Sequence, residues 1–249
     1  QALWWAVRQL LAARGVVDED GLSYTVPEDL LAHWRHPALL LSQTCGYPLV
    51  TLLANVQTVG CFHYSAPGCE GRNYRSLLVA RKADGGQVLA DFRGRRVACN
   101  SPDSQSGYNV LLKMIAPLSR DGRFFSTVAF SGSHRQSLRE VQQGTADIAA
   151  IDCVTWALLQ RHQPEALAGL TVIAHSPLAP GLPLITSATT PAATLELLRE
   201  ALQQLVSDER YQPLCEALFI CGYSDMRRAD YQPLLAWREE AAARGVVRL

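Results

Sequence analysis

The chain has 249 residues, 48% of them hydrophobic, enough apolar material for one large domain or two lobes. Its 23 Lys and Arg residues balance its 23 Asp and Glu residues, so no broad charged footprint for DNA, RNA or an anionic membrane surface is expected. No apolar run approaches the length of a membrane span, so no membrane insertion is expected. No n-region, h-region and cleavage site opens the chain, and Gln1-Ala2-Leu3-Trp4-Trp5 reads as the middle of something, as in a mature or trimmed product.

Residues 2–14 are apolar at Leu3, Ala6, Val7, Leu10 and Leu11, a helical spacing that Gly15 ends. Residues 27–34 predict a second short helix. PALLLSQ reads as a buried strand, TCGYP as a loop and LVTLLAN as a helix. NVQTVGCF and RSLLVAR read as strands, with KADGG as a turn. From residue 95 the pattern becomes regular. RRVACN, FFSTVAF, ADIAAID and TVIAH read as strands, separated by helices over 108–118, 135–143 and 154–162. Strand and helix alternating through short loops predict an α/β fold with mostly parallel sheets flanked by helices. After PLAPGLPLITS, helices are predicted over 191–206, 208–218 and 231–244. The chain opens on a helix where an α/β lobe normally has a strand, so the first strand is expected either upstream or not at all.

Three loops share one design. QTCGYP, SPDSQSG and SGSH each follow a strand and begin a helix. Such loops gather at the carboxyl edge of a parallel sheet, where ligands bind. Their donors are backbone amides with Thr44, Ser104, Ser106, Ser131, Ser133 and His134. None contains Lys or Arg, so an anion held there is held by oriented dipoles and hydrogen bonds, which suits a small desolvated oxyanion. The alternative for each loop is an ordinary helix cap.

The runs NSPDSQSGYNVLLKMIAP, FFSTVAFSGSHRQSLREVQQGTADIAAID and SPLAPGLPLITS together resemble the phosphate/phosphite/phosphonate-binding family of ABC-transporter solute-binding proteins. The likeness extends more loosely through LLLSQTCGYPL and YSAPGCEGRNYRSLLV and covers most of the chain. It implies a two-lobed periplasmic-binding-protein fold with a ligand cleft between lobes. One lobe would comprise 1–92 and the returning 188–249, the other the inserted 93–187. It implies a solute-binding protein that is not an enzyme, works in the periplasm with an ABC-transporter permease, and takes a phosphate- or phosphonate-like ligand as a monomer without a cofactor or metal. The S-x-S-G turn and the GSH histidine then map the oxyanion contacts onto Ser104, Ser106, Gly107 and His134, and Gln105 inside the turn joins the candidate set. Thr44 and Tyr47 would come from the other lobe. Asp152 would face an amine or other polar end of an organic ligand. Tyr64, Tyr74 and Ser131 complete the candidate set; the tyrosines could equally be half-buried packing, and His134 and Asp152 could serve only their own helix starts.

Cys45, at a predicted helix start, is either a reactive thiol or a small residue shaping a turn. Paired with His134 it would make a thiol enzyme on the same fold; a sensory or effector domain of a regulator is the other alternative. The seven cysteines lack paired zinc-site spacing, and Cys61–Cys69 and Cys215–Cys221 are the candidate bridges against a background of buried thiols. The five tryptophans are expected in cores, and Arg95-Arg96 and Arg227-Arg228 on solvated faces.

Overall fold

In the computed structural model, which describes residues 1–17 and 27–249, the chain divides into two compact units. The first comprises 1–65 and 181–230, the second 66–180 and 231–249. In the first, helix α1 (Ala2–Ala12) buries Ala6, Val7, Leu10 and Leu11 at the predicted spacing. Helix α2 (Leu30–Trp34) starts at Asp29, whose carboxylate accepts from the Ala32 amide at 2.9 Å. The run expected as a buried strand pairs only at β1 (Ser42–Gln43), before α3 (Gly46–Thr51) and β2 (Gln57–Tyr64).

The chain then builds most of the second unit. It contains β3 (Asn73–Tyr74), β4 (Ser76–Arg81) and β5 (Arg96–Cys99), then α4 (Val110–Ile115), entered through a π-turn at 105–109. Next come β6 (Thr127–Phe130), α5 (His134–Gln143), β7 (Ile148–Asp152), α6 (Cys153–His162), β8 (Leu170–His175) and β9 (Ala179–Pro180). The return to the first unit supplies β10 (Pro183–Thr186), α7 (Ala192–Ser207), α8 (Gln212–Ala217) and β11 (Ile220–Ser224). Helix α9 (Pro233–Ala243) belongs to the second unit.

The α/β class with helix-flanked sheets holds, but the mostly parallel pairing does not. The first unit's sheet, ordered β1-β10-β2-β11, is antiparallel at each pairing. The second unit's sheet runs β6-β5-β7-β4-β8; β5 is parallel to β6 and β7, while β4 is antiparallel to both β7 and β8. Strand β4 explains the change of boundary from the expected 92/93 to 65/66. It lies between β7 and β8, so its buried residues Leu78 and Ala80 belong to the same core as Val97, Leu111 and Ile148. The C-terminal helix, expected to return with the first lobe, puts Ala241 into that core with Val246 beside it. The first unit's separate core joins Leu10 and Leu11 of α1 to Val59, Leu198, Leu202 and Tyr223.

Two arginines expected on solvated faces are structural. Arg228 donates to the carbonyls of Leu49, Leu53 (2.7 Å) and Val56 (2.9 Å), satisfying the end of α3. Arg96 bonds Asp147 from its backbone amide (3.0 Å), Nε (3.0 Å) and Nη2 (2.8 Å), and Arg81 adds Nη2 at 2.8 Å. One carboxylate therefore ties the end of β4 to the starts of β5 and β7. Trp5 is also unlike the expectation, 54% exposed with the Arg8 guanidinium over its ring.

The Arg96 hydrogen bonds, then those of Arg81, hold the Asp147 carboxyl well below the usual carboxylate range against the opposing effect of burial. A depressed folded-state pKa stabilises the fold above the unfolded value near ~3.9 and loses that contribution as pH falls through the folded value. Asp147→Asn is expected to cost about 2 kcal/mol near neutrality, with the solvent-facing Arg96 side contributing little. It should also flatten the loss of stability below about pH 4. Urea melts of both proteins between pH 7 and pH 3 check this; parallel stability curves would refute the clamp.

Candidate functional site

The parallel strands β6, β5 and β7 deliver their carboxyl ends to one edge of the second unit's sheet, and each is followed by a helix start. Each start has its own cap. Ser104 Oγ accepts from the Gly107 amide at 3.0 Å, Ser133 Oγ from Gln136 at 3.1 Å, and Asp152 Oδ1 from Thr155 at 2.7 Å. The plain capping role expected as the alternative is therefore real for these three side chains. It leaves Ser106, His134 and the second oxygen of Asp152 for other work.

Those three meet. His134 Nε2 lies 2.8 Å from Ser106 Oγ and 3.6 Å from Asp152 Oδ2, so one imidazole joins the loops after β5, β6 and β7. The Ser106 carbonyl accepts from Ser76 Oγ on β4 at 2.8 Å, which fixes the turn to the sheet. Ser104, Gln105, Ser106 and Asp152 are buried, and 14% of the His134 side chain is exposed. Burial pulls the His134 pKa below its ordinary value; the Asp152 charge and the Ala150 carbonyl oppose that shift. A neutral imidazole offers one N–H donor, whose tautomer its partners set.

The turn itself has the geometry of a close approach. The Asn109 amide donates to the Ser104 carbonyl at 2.9 Å, five residues back, a widened turn of the kind that recurs at functional positions. A Cβ on Gly107 would stand 1.9 Å from Asn100 Oδ1 and 3.3 Å from His134 Cε1. Only glycine lets the Asn100 amide and the imidazole close over that backbone. Asn109 Nδ2 bridges Gln105 Oε1 (2.8 Å) and the Leu234 carbonyl of α9 (3.1 Å). Gln105 Nε2 and Asn100 Oδ1 are buried without a hydrogen-bond partner, an expensive condition for polar atoms. Asn100 and Asn109 were not among the expected site residues. Their signal was present, since Asn100 directly precedes SPDSQSG and Asn109 follows it after one residue, but amide side chains beside a serine-rich turn read as turn formers.

Other expected residues are placed differently. Ser131 Oγ is taken up within its own loop, bonding Ser137 Oγ (2.7 Å), the Ser133 carbonyl (2.9 Å) and, more weakly, the Cys99 carbonyl (3.3 Å). Tyr74 is buried on β3 of the second unit. Thr44, Cys45, Tyr47 and Tyr64 lie in the first unit. Thr44 is buried with no partner for its hydroxyl, and its amide donates to the Pro183 carbonyl at 3.0 Å. Cys45 occupies the N-cap position of α3 without a side-chain capping bond. Tyr47 is buried in α3, and the Tyr64 hydroxyl accepts from Gln43 Nε2 at 3.3 Å. None of the seven cysteines is in a disulfide, so the candidate Cys61–Cys69 and Cys215–Cys221 bridges are not formed. Cys61 and Cys69 fall in different units, and Cys215 is buried while Cys221 is exposed.

No group of three or more His, Cys, Asp or Glu residues able to hold a metal occurs among the described residues. No helix among them is long and apolar enough to cross a membrane.

The family described as "ABC transporter, phosphonate, periplasmic substrate-binding protein" matches residues 47–231. No curated protein matches significantly. Among solved structures, the binding protein component of an ABC phosphonate transporter from Pseudomonas aeruginosa superposes with a TM-score of 0.80 at 18% identity, over 98% of this chain and 82% of that one. PhnD1 from Prochlorococcus marinus in complex with methylphosphonate gives 0.77 at 13% identity, over 96% and 92%. A Xanthomonas citri protein bound to ATP gives 0.71 at 15%, over 98% and 93%. At such identities the structures establish the two-lobed fold, and the family match over most of the chain establishes the rest. The chain belongs to the phosphonate-binding family of periplasmic substrate-binding proteins of ABC transporters, which are binding proteins and not enzymes.

Proposed function

We propose that this chain captures a small phosphonate- or phosphate-like solute in the periplasm and passes it to an ABC-transporter permease. The observation that carries the reading is the Ser106–His134–Asp152 junction at the edge where three helix starts converge. On ligand entry the Ser106–His134 hydrogen bond is exchanged for bonds from Ser106 Oγ–H and His134 Nε2–H to the oxyanion, supported by the backbone of the 104–107 turn and by the buried Gln105 Nε2. Asp152 Oδ2 orients the imidazole and faces the cationic or hydroxyl end of an organic ligand. Gly107 lets Asn100 and the imidazole pack against the turn and so holds these donors in place. Thr44, Tyr47, Tyr64 and Tyr74 are proposed as further contacts, with Thr44 strongest because its buried hydroxyl makes no other bond. Family membership supports the role in uptake, and PhnD1's complex with methylphosphonate supports the ligand class.

Thermal-shift and calorimetric titrations with methylphosphonate, 2-aminoethylphosphonate, phosphite, phosphate and sulfate test the reading. A ligand at a hundred times its Kd adds about 2.7 kcal/mol, a midpoint rise of roughly 5–10 °C for a protein of this size. His134→Ala and Gly107→Ala are expected to abolish the rise, and Ser106→Ala to weaken binding on the order of tenfold. No shift with any phosphorus oxyanion, or one unchanged in His134→Ala, would overturn the assignment.

A lowered folded-state pKa has a second consequence. As pH falls below the ordinary histidine value near ~6.5, the unfolded chain takes up the proton first, so ligand-free stability falls. His134→Gln should lose less stability than wild type between pH 7 and pH 5. Denaturant melts across that range measure it, and equal slopes would mean that His134 titrates normally.

A further inference from the structure

Cys69 and Cys153 are far apart in sequence, but their sulfurs lie 3.4 Å apart within the second unit. Both are held in place by backbone bonds. Cys153 is the first residue of α6, and its amide donates to the Arg75 carbonyl at 3.0 Å. Cys69 sits in a turn closed by its own amide to the Ala66 carbonyl, also at 3.0 Å. Arg75 clasps that turn through Nε to the Gly68 carbonyl (3.1 Å) and Nη2 to Glu70 (2.5 Å). The approach is close enough that a Cβ on Gly68, whose φ is +99°, would stand 3.0 Å from Cys153 Cβ.

We propose that Cys69 and Cys153 form a disulfide in an oxidising compartment, stapling the 66–72 turn to the start of α6 beside Asp152. The sulfurs need to close by only about 1.4 Å to reach bonding distance. The exposures of the two thiols suit a stepwise exchange with a small-molecule or protein disulfide. Half-buried Cys69 meets the oxidant, while Cys153 is fully buried. Cys69 thiolate attacks one oxidant sulfur, forming a mixed disulfide and releasing the first thiolate. Cys153 thiolate then attacks the Cys69 sulfur and releases the second. The two protein thiols lose two protons and two electrons, and the oxidant disulfide is reduced to two thiols. The family's periplasmic setting supplies such oxidants.

The test is a thiol count on the folded protein incubated with oxidised glutathione, then unfolded and alkylated with a maleimide. Two of the seven thiols are expected to be lost to alkylation, with Cys69 and Cys153 recovered in one linked peptide. Reduction should lower the melting midpoint by at least about 5 °C, because the bond closes a loop spanning 84 positions. Cys69→Ser should retain every remaining thiol and show no change on reduction. Seven titratable thiols, glutathione left on Cys69, or a link to any other cysteine would overturn the proposal. The count is independent of ligand binding, so its failure would leave the phosphonate reading standing.

Discussion

Much of the second unit depends on one carboxylate. Asp147 sits just before β7 and takes hydrogen bonds from Arg96 at the start of β5 and Arg81 at the end of β4. Strand β4 runs opposite to β7, so all three contacts fall at one edge of the sheet. Fixing that edge sets the register of β4 and β5 against β7, and register decides which side chains reach the core. Leu78, Val97, Ile148 and Ala150 then point into one cluster, and the carboxyl ends of β5 and β7 both reach the opposite edge. The ionic anchor and the polar junction thus occupy opposite ends of the same strands, divided by an apolar core.

That division lets the junction carry uncompensated polarity. A buried amide or hydroxyl without a partner is costly in any fold. Here Gln105 Nε2 and Asn100 Oδ1 carry that cost beside the turn where Gly107 is required. The same turn is tied down by Ser76 on β4 and by the Leu234 carbonyl on α9. A turn held from both sides keeps its donors in place before any ligand arrives, which reduces the ordering cost of binding. Helix α9 thereby acquires a role that no motif in its own sequence announces.

The local signals in the sequence were strong where chain neighbours decide the outcome. Gly144 ends α5 with a φ of +75°, as a left-handed cap requires, and Ser133 caps its start. The S-x-S-G turn and the GSH histidine were recognisable together, and the structure brings Ser106 and His134 to 2.8 Å. Long-range choices were less legible. Arg96 looks like one of a solvated pair until Asp147, 51 positions away, is placed beside it. The ICGYS run that forms β11 is short, carries a glycine and falls between the helices predicted over 208–218 and 231–244, so the sequence alone assigns it to no element; pairing with β2 makes it a strand. The two candidate bridges went unformed for the same reason. Cys61 faces Met226 in the first unit, and Cys69 faces Cys153 in the second, so proximity along the chain misjudged proximity in space.

The charge of the proposed site bears on which member of the ligand class it suits. The three polar loops hold no Lys or Arg, and burial keeps the imidazole of His134 toward its neutral form. The fixed charge at the junction is the Asp152 carboxylate, 3.6 Å from His134 Nε2. A bare dianion would gain hydrogen bonds from Ser106 and the imidazole while facing that negative charge at short range in a poorly hydrated setting, where Coulomb terms are large. On the proposed reading, a zwitterionic phosphonate would satisfy both ends, its oxyanion on the neutral donors and its ammonium group on Asp152. Electrostatics on that reading therefore favours an aminoalkylphosphonate over inorganic phosphate, and the selectivity arises from an acid set beside neutral donors and not from an added base.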